Sequence, residues 1–138
     1  MPKRMQTLPS KPVISSTEAQ LFVADIEASC NFFAKLGFEI VFVYGKPPFY
    51  AQVKRDRGLI DLRHVDHPLI EPALRDREIY LSATLTIDTH AEIEALFAEF
   101  EAAGVTFAER LRLQPWGAAS FIVKDPDGNL LLFAGPAA

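Results

Sequence analysis

Apolar positions along this chain follow two repeats, one of two residues and one of three to four residues. Asp25 is suited to cap a helix by accepting a hydrogen bond from its first turn. The apolar side chains of Ile26, Cys30 and Phe33 then recur at helical spacing. Gly37 suits the position just past the end of this helix. The pattern predicts a first helix with one buried stripe.

A second helical pattern occurs in the other half of the chain. Thr89, followed three residues later by Glu92, fits a capping box. We expect this helix to last to about Ala103, with Gly104 closing it. Its apolar stripe consists of Ile93, Leu96, Phe97 and Phe100.

Runs rich in β-branched and aromatic residues, bounded by turn residues, flank both helices. Each half has one such run before its helix and three after it. The predicted strands are residues 17–23, 38–44, 49–54 and 59–65 in the first half, and 79–87, 105–113, 119–124 and 129–134 in the second. The last two are joined by the turn Asp125-Pro126-Asp127-Gly128. The order βαβββ therefore occurs twice, which predicts an α+β fold.

We expect a single domain at residues 14–136, preceded by an N-terminal arm at residues 1–13. Its two modules span about residues 14–66 and 79–136. Residues 67–78 join them and combine two prolines with mixed charge, which favours a surface linker over another strand. The charged cluster Arg75–Glu78 is expected to be a solvated face.

The length, charge and cysteine content of the chain exclude some classes of function. A chain of 138 residues has room for one ordinary domain. Its net charge of −4 argues against general nucleic-acid binding. Lys3 and Arg4 are not followed by an apolar run, so we expect no signal peptide, no membrane span and a cytoplasmic protein. The single cysteine, Cys30, is expected to be a small buried thiol.

Two sequence stretches carry a family resemblance: "LFVADIEASCNFFAKLGFEI" in the first module and "FIVKDPDGNLLLF" in the second. With the repeated βαβββ order, they resemble the vicinal oxygen chelate superfamily of glyoxalase I, extradiol dioxygenases, fosfomycin-resistance enzymes and bleomycin-resistance proteins. "QPWG" ahead of "DPDGN" is most similar to the bleomycin-resistance branch, whose members bind and do not catalyse.

The resemblance implies a glyoxalase/bleomycin-resistance-like fold, in which the two modules form cupped mixed sheets. It also implies a homodimer with aromatic-lined clefts at the subunit interface, which sequester a cationic aromatic antibiotic or a similar small molecule. No nucleic acid, membrane or cofactor is expected to take part.

Metal-dependent members of the superfamily carry His, Gln or Glu on the first strand of a module and Glu near the end of its last strand. Glu18 matches one such position, whereas Ser82 and Leu132 occupy the others. One carboxylate does not make a metal site, so we expect none. The alternative is a metal-dependent lyase, isomerase or dioxygenase that uses Glu18 and other ligands.

His64 and His67 are three residues apart, which places them on opposite faces of an extended strand. They would converge only in a loop that begins after Val65. We therefore expect both histidines to be surface or turn residues, and their participation in a non-standard site is left as an alternative.

Aromatic residues are the main candidates for ligand contact. Trp116 is expected at a cleft mouth, where its ring can stack on a planar cation, with a role in the core or dimer interface as the alternative. Phe49 and Tyr50 alternate along one predicted strand, and the resemblance favours Tyr50 as the residue facing the ligand. Phe42 and Tyr44 share a face. The carboxylates that are candidates for pairing with a cation, each also readable as a solvated side chain, are Glu18, Asp61 and Glu109.

Overall fold

The structure is a computed structural model that describes residues 11–138, so most of the predicted N-terminal arm lies outside the described residues. Its strands are β1 (Ala19–Val23), β2 (Glu39–Tyr44), β3 (Tyr50–Arg55), β4 (Gly58–His64), β5 (Leu81–Thr86), β6 (Phe107–Leu113), β7 (Ala118–Lys124) and β8 (Leu130–Pro136). Its helices are α1 (Ile26–Lys35), α2 (Pro72–Glu78) and α3 (His90–Ala102).

The strands form two four-stranded mixed sheets of the same design. The first sheet has the order β1-β4-β3-β2 and the second β5-β8-β7-β6. In each, the strand that precedes the helix pairs in parallel with the last strand of the module, and the other pairs are antiparallel. The predicted α+β fold of two βαβββ modules is confirmed.

Local capping chemistry fixes where the long helices begin. The Asp25 carboxylate accepts a hydrogen bond from the Ala28 amide at 3.1 Å, and the Thr89 hydroxyl accepts one from the Glu92 amide at 3.1 Å. Both caps agree with the sequence prediction. None of the helices among residues 11–138 is long and apolar enough to cross a membrane.

One apolar core runs through both modules. On the first sheet, the buried face packs under α1 through fully buried residues such as Leu21, Val53 and Leu62. On the second, Phe100 of α3 meets Phe121 and Phe133 at ring-centroid distances of 5.8 and 5.2 Å. Cys30 is buried, as expected.

The predicted linker contains a helix, α2, where the sequence pattern predicted none. Glu71 caps it, and Pro72 occupies its first turn. The expectation of a solvated face is wrong for Arg75, which is buried. Its guanidinium donates a hydrogen bond to the Asp127 carbonyl at 3.2 Å and covers Gly128, where the missing side chain leaves room for it.

The predicted turn at residues 125–128 also joins the two modules. Its Gly128 amide donates to the Asp125 carbonyl at 2.9 Å, which closes the turn. The Asn129 side-chain amide then donates to the Phe22 carbonyl at 3.1 Å, and the Ala24 amide donates to the Asp127 carboxylate at 2.8 Å. Side chains of the second module thereby satisfy backbone groups on the edge of β1.

Candidate ligand-binding site

The first sheet has one buried face and one open face, and strand register decides which residues share each. Across the sheet, Tyr44 pairs with Tyr50, Tyr50 with Arg63, and Arg63 with Phe22. Paired residues point the same way. The next row on this open face, from β2 to β1, consists of Phe42, Gln52, Asp61 and Gln20.

Four aromatic residues, Phe42, Tyr44, Phe49 and Tyr50, form what we call the aromatic wall. Phe42 and Tyr50 have ring centroids 5.6 Å apart, and Tyr44 and Phe49 meet edge to face at 5.4 Å. Phe49 lies one residue before β3 begins, where its amide donates to the Tyr44 carbonyl at 2.9 Å and its carbonyl accepts from the His64 amide at 2.8 Å. Its ring packs over Gly45, whose side-chain position it occupies. The wall is half-exposed and accessible to a planar ligand.

Acidic groups stand beside the aromatic wall. The Gln52 amide donates a hydrogen bond to the Asp61 carboxylate at 2.8 Å, which fixes the position of that carboxylate on the open face. Partial desolvation first, and then the negative charges of Asp61 and Glu18, raise the pKa of the Tyr50 hydroxyl. A cation bound beside Tyr50 would lie near the carboxylates of Asp61 and Glu18. Arg63 shares the face and lies 6.0 Å from the Phe22 ring, so the acidic character is local.

Trp116 and Glu109 belong to the second module and are not part of the aromatic wall. Trp116 sits in the turn between β6 and β7 and is 75% exposed. Glu109 is engaged by neighbours, since Arg112 lies 3.6 Å from its carboxylate and the Gln114 amide donates to it at 3.3 Å. The structure thus brings five of the eight predicted residues onto or beside one face, namely Phe42, Tyr44, Phe49, Tyr50 and Asp61, with Glu18 just ahead of β1.

The positions expected to hold metal ligands do not form a ligand set. Leu132 pairs with Ile122 and Thr84, so its side chain lies on the face of the second sheet opposite α3, where a carboxylate would be needed. Ser82 supplies only a hydroxyl. Within residues 11–138, no group of three or more His, Cys, Asp and Glu side chains is arranged to hold a metal ion. The residues present do not fit a superfamily metal site.

His64 has two structural partners, whereas His67 has none among the described residues. His64 contacts the Ala24 carbonyl through Nδ1 at 2.9 Å and the Asp66 carboxylate through Nε2 at 3.0 Å. These contacts tie the end of β4 to the end of β1. His67 is exposed and joins no such group. Both agree with the expectation of surface or turn residues.

Sequence reasoning missed two residues of the open face, Gln52 and Arg63. Both occupy polar positions in otherwise apolar strands, and this alternation signals exposure on the same face as Asp61. What the sequence lacks is the register, which decides that Gln52 stands directly opposite Asp61.

The fold is similar to solved structures along nearly the whole chain. A glyoxalase/bleomycin resistance protein/dioxygenase from Alicyclobacillus acidocaldarius has a TM-score of 0.72 at 16% identity, covering 90% of this chain and 92% of that one. A bleomycin-binding protein complexed with bleomycin has a TM-score of 0.69 at 22% identity, covering 88% and 98%. A lactoylglutathione lyase from Agrobacterium tumefaciens has a TM-score of 0.67 at 21% identity, covering 91% and 96%.

At these identities the likeness establishes the fold alone, and the structures resembled include both a binder and an enzyme. No curated protein matches the sequence. The family model described as "Glyoxalase/Bleomycin resistance protein/Dioxygenase superfamily" matches residues 16–133, which include both modules. The chain therefore belongs to the glyoxalase/bleomycin resistance protein/dioxygenase superfamily.

Proposed function

We propose that this chain is a metal-free binding protein that sequesters a flat, cationic small molecule, such as a bleomycin-type antibiotic, in a cleft of a homodimer. The observation that carries the proposal is the aromatic wall beside Asp61 and Glu18. An aromatic face attracts a cation through its quadrupole, with a contribution of about 0.5–2 kcal/mol according to desolvation. The carboxylates add charge complementarity, and the bleomycin-binding protein of similar fold indicates the ligand class.

The proposal places Trp116 at the mouth of the same cleft, reached through the second copy of the chain. Two features support this. Trp116 is largely exposed in a single chain, so its indole is free to contact a ligand or a partner. Strand β2 is exposed on both faces, which leaves Phe42 and Tyr44 at an edge that a second copy would cover. A cytoplasmic location stays a prediction.

Titration of the purified protein with bleomycin tests this function. We expect tryptophan fluorescence to change on saturation, and Trp116→Ala to lose roughly 2 kcal/mol of binding free energy, as anchor residues do. Calorimetry should give a similar loss for Tyr50→Ala, whereas Tyr80→Ala, an exposed tyrosine outside the aromatic wall, should bind normally. Absence of any heat or fluorescence change at saturating bleomycin would refute the drug-binding proposal.

The contribution of the Asp61 charge to ligand binding is tested with a separate pair of variants. Asp61→Asn keeps the shape of the side chain and removes its charge, so we expect weaker binding of the cationic ligand and a weaker dependence of affinity on salt. Asp66→Asn is the matched control, because Asp66 is a more exposed carboxylate beyond the end of β4 that pairs with His64. Equal affinities for the two variants would contradict a role for Asp61.

Metal content separates this proposal from the enzymatic alternative. We expect elemental analysis of the purified protein to find no stoichiometric zinc, iron, manganese or nickel, because Ser82 and Leu132 stand where ligands would be needed. About one equivalent of such a metal per chain, lost in Glu18→Ala, would favour the metal-dependent enzyme instead.

A further inference from the structure

Each module places a hairpin turn beside the first strand of the other module, but only one of the two junctions is bonded. The turn at residues 125–128 binds the edge of β1 through Asp127 and Asn129. Its counterpart in the first module, Arg55–Gly58, lies beside β5, where a side chain at Gly58 would come within 3.4 Å of Leu85. In the described part of the chain, no hydrogen bond joins this turn to β5.

A cavity of about 980 Å³ occupies the unbonded junction, and we call it the junction cavity. It is an open cleft that follows residues 83–88 along β5 and just beyond it, and it is bordered by the Arg55–Gly58 turn and by α3. This volume is at the upper end of the range that accommodates a drug-sized ligand. The partly buried apolar side chains that line it are Ala19, Leu59, Ala83, Leu85 and Ile87.

Negative charge predominates around the junction cavity. The lining contains two guanidinium groups, Arg55 and Arg57, and Arg55 is already bound, because it pairs with Glu99 at 2.7 Å and donates to the Leu36 carbonyl. The five carboxylates of the lining belong to Glu18, Asp56, Asp88, Glu92 and Glu99. A ligand that carries a positive charge is therefore favoured over a neutral or anionic one.

The junction cavity is distinct from the aromatic wall. None of the wall residues lines it, nor do Asp61 and Trp116, and Glu18 is the one candidate residue shared by both. The aromatic residues of its lining, Phe38, Phe100 and Phe133, are almost fully buried and present no ring face for stacking. Its accessible apolar surface is aliphatic, which suits an alkyl chain better than a planar ring system.

We propose that the junction cavity is a second binding site, which takes a small organic cation with an aliphatic body, such as an alkylammonium. The alkyl group lies along Ala83, Leu85 and Ile87. The ammonium group faces Asp88 and Glu92, for which the described residues provide no ion pair.

Titration with octyltrimethylammonium, followed by ¹H–¹⁵N NMR of the full chain, tests the site. We expect saturable shifts of the amides of residues 83–88. Ala95→Arg introduces bulk and positive charge on the exposed α3 surface that lines the cavity, so it should weaken binding by roughly tenfold or more. Ala98→Arg makes the same change on exposed α3 surface outside the cavity and should leave affinity unchanged.

Two further titrations have results that would contradict the proposal. Octyl glucoside carries the same alkyl chain without charge, and equal affinity for it would overturn the assignment to cations. Equal affinity of Ala95→Arg and Ala98→Arg for octyltrimethylammonium would overturn the location. Tyr50→Ala should keep its affinity for this probe, so failure of the bleomycin experiments leaves the junction cavity independently testable.

Discussion

Asp125 is a buried acid held by the turn that it opens. Only 4% of its surface is exposed, and its carboxylate accepts hydrogen bonds from the Asp127 amide at 2.9 Å and from the Asn129 amide at 2.7 Å. Burial raises the pKa of Asp125 from 3.8 to about 6 and outweighs these hydrogen bonds, which lower it. The folded chain therefore retains a proton on Asp125 at pH values where the unfolded chain has lost it.

The proton retained on Asp125 makes the free energy of unfolding depend on pH, and the direction of this dependence is defined. Between about pH 4 and pH 6 the folded state binds more protons at Asp125, so the free energy of unfolding falls as pH rises through this window. The loss amounts to about 3 kcal/mol when complete. Urea denaturation of wild type and Asp125→Asn at a series of pH values measures it, because asparagine does not titrate. Wild type should lose stability relative to the variant as pH rises, and a constant difference would contradict the prediction.

Single residues also mark the limit of sequence-based prediction. Trp116 follows a proline in a polar segment, which favours a cleft mouth and leaves the core or dimer interface as the alternative; the residue is 75% exposed. The burial of Arg75 was not identifiable, because its partners at Asp127 and Gly128 lie about fifty residues away along the chain. A charged residue in a polar stretch is usually solvated, and only the folded arrangement brings a bare backbone surface against its guanidinium.

At the scale of elements, the turn at residues 125–128 serves the junction between modules as well as its own hairpin. Removing the Asn129 side chain leaves the Phe22 carbonyl and the Asp125 carboxylate each short of a donor. We expect Asn129→Ala to lower the free energy of unfolding by about 1–3 kcal/mol, since unsatisfied buried polar groups carry that cost. Urea denaturation at neutral pH measures the loss.

Arg57→Ala is the matched control for this prediction, because Arg57 is an exposed residue in the counterpart turn of the first module. It should change stability by less than about 0.5 kcal/mol. Hydrogen exchange gives a second reading, since Asp127→Ala should speed exchange of the Ala24 amide, which the Asp127 carboxylate binds. Equal stabilities of Asn129→Ala and Arg57→Ala would show that the turn does not hold the modules together.

Helices could be predicted where the residues that determine them are close together in the sequence. Caps at Asp25 and Thr89 act within three residues, so the sequence contains the whole signal. The helix α2 was missed because prolines and mixed charge resemble a linker and because Glu71 is an uncommon N-cap residue, although Pro72 suits a first helical turn. Strand register depends on pairing between distant segments, which is why the row of Phe42, Gln52 and Asp61 required the structure.

At the scale of the whole molecule, β2 is the feature that a single chain leaves unexplained. Its apolar and aromatic residues from Ile40 to Tyr44 are between 39% and 64% exposed, on both faces of the strand. Contiguous apolar surface of this kind is typical of surfaces that bind another protein or a ligand. We expect a homodimer at micromolar concentration in sedimentation velocity experiments, and a shift towards monomer in Val43→Lys, where the added charge would be buried in the interface.

Leu74→Lys is the control for this shift. It makes the same chemical change at an apolar residue of similar exposure on α2, away from β2. The variant should sediment as wild type does. A wild-type protein that sediments as a monomer would exclude the dimer, and dissociation by Leu74→Lys alone would move the interface from β2 to α2.

The contacts of α2 determine where this chain can be divided. Arg75 binds the Asp127 carbonyl and covers Gly128, and Asp76 lies 3.4 Å from Lys124, so α2 is attached to the second module although it follows the first in sequence. If the chain is divided into two fragments before residue 67, α2 stays on the same fragment as its partners in the second module. A pair of fragments separated after residue 78 leaves an unpaired guanidinium on one fragment and a bare glycine turn on the other. Reassembly from fragments, and any exchange of modules between relatives, therefore favours a boundary ahead of the helix.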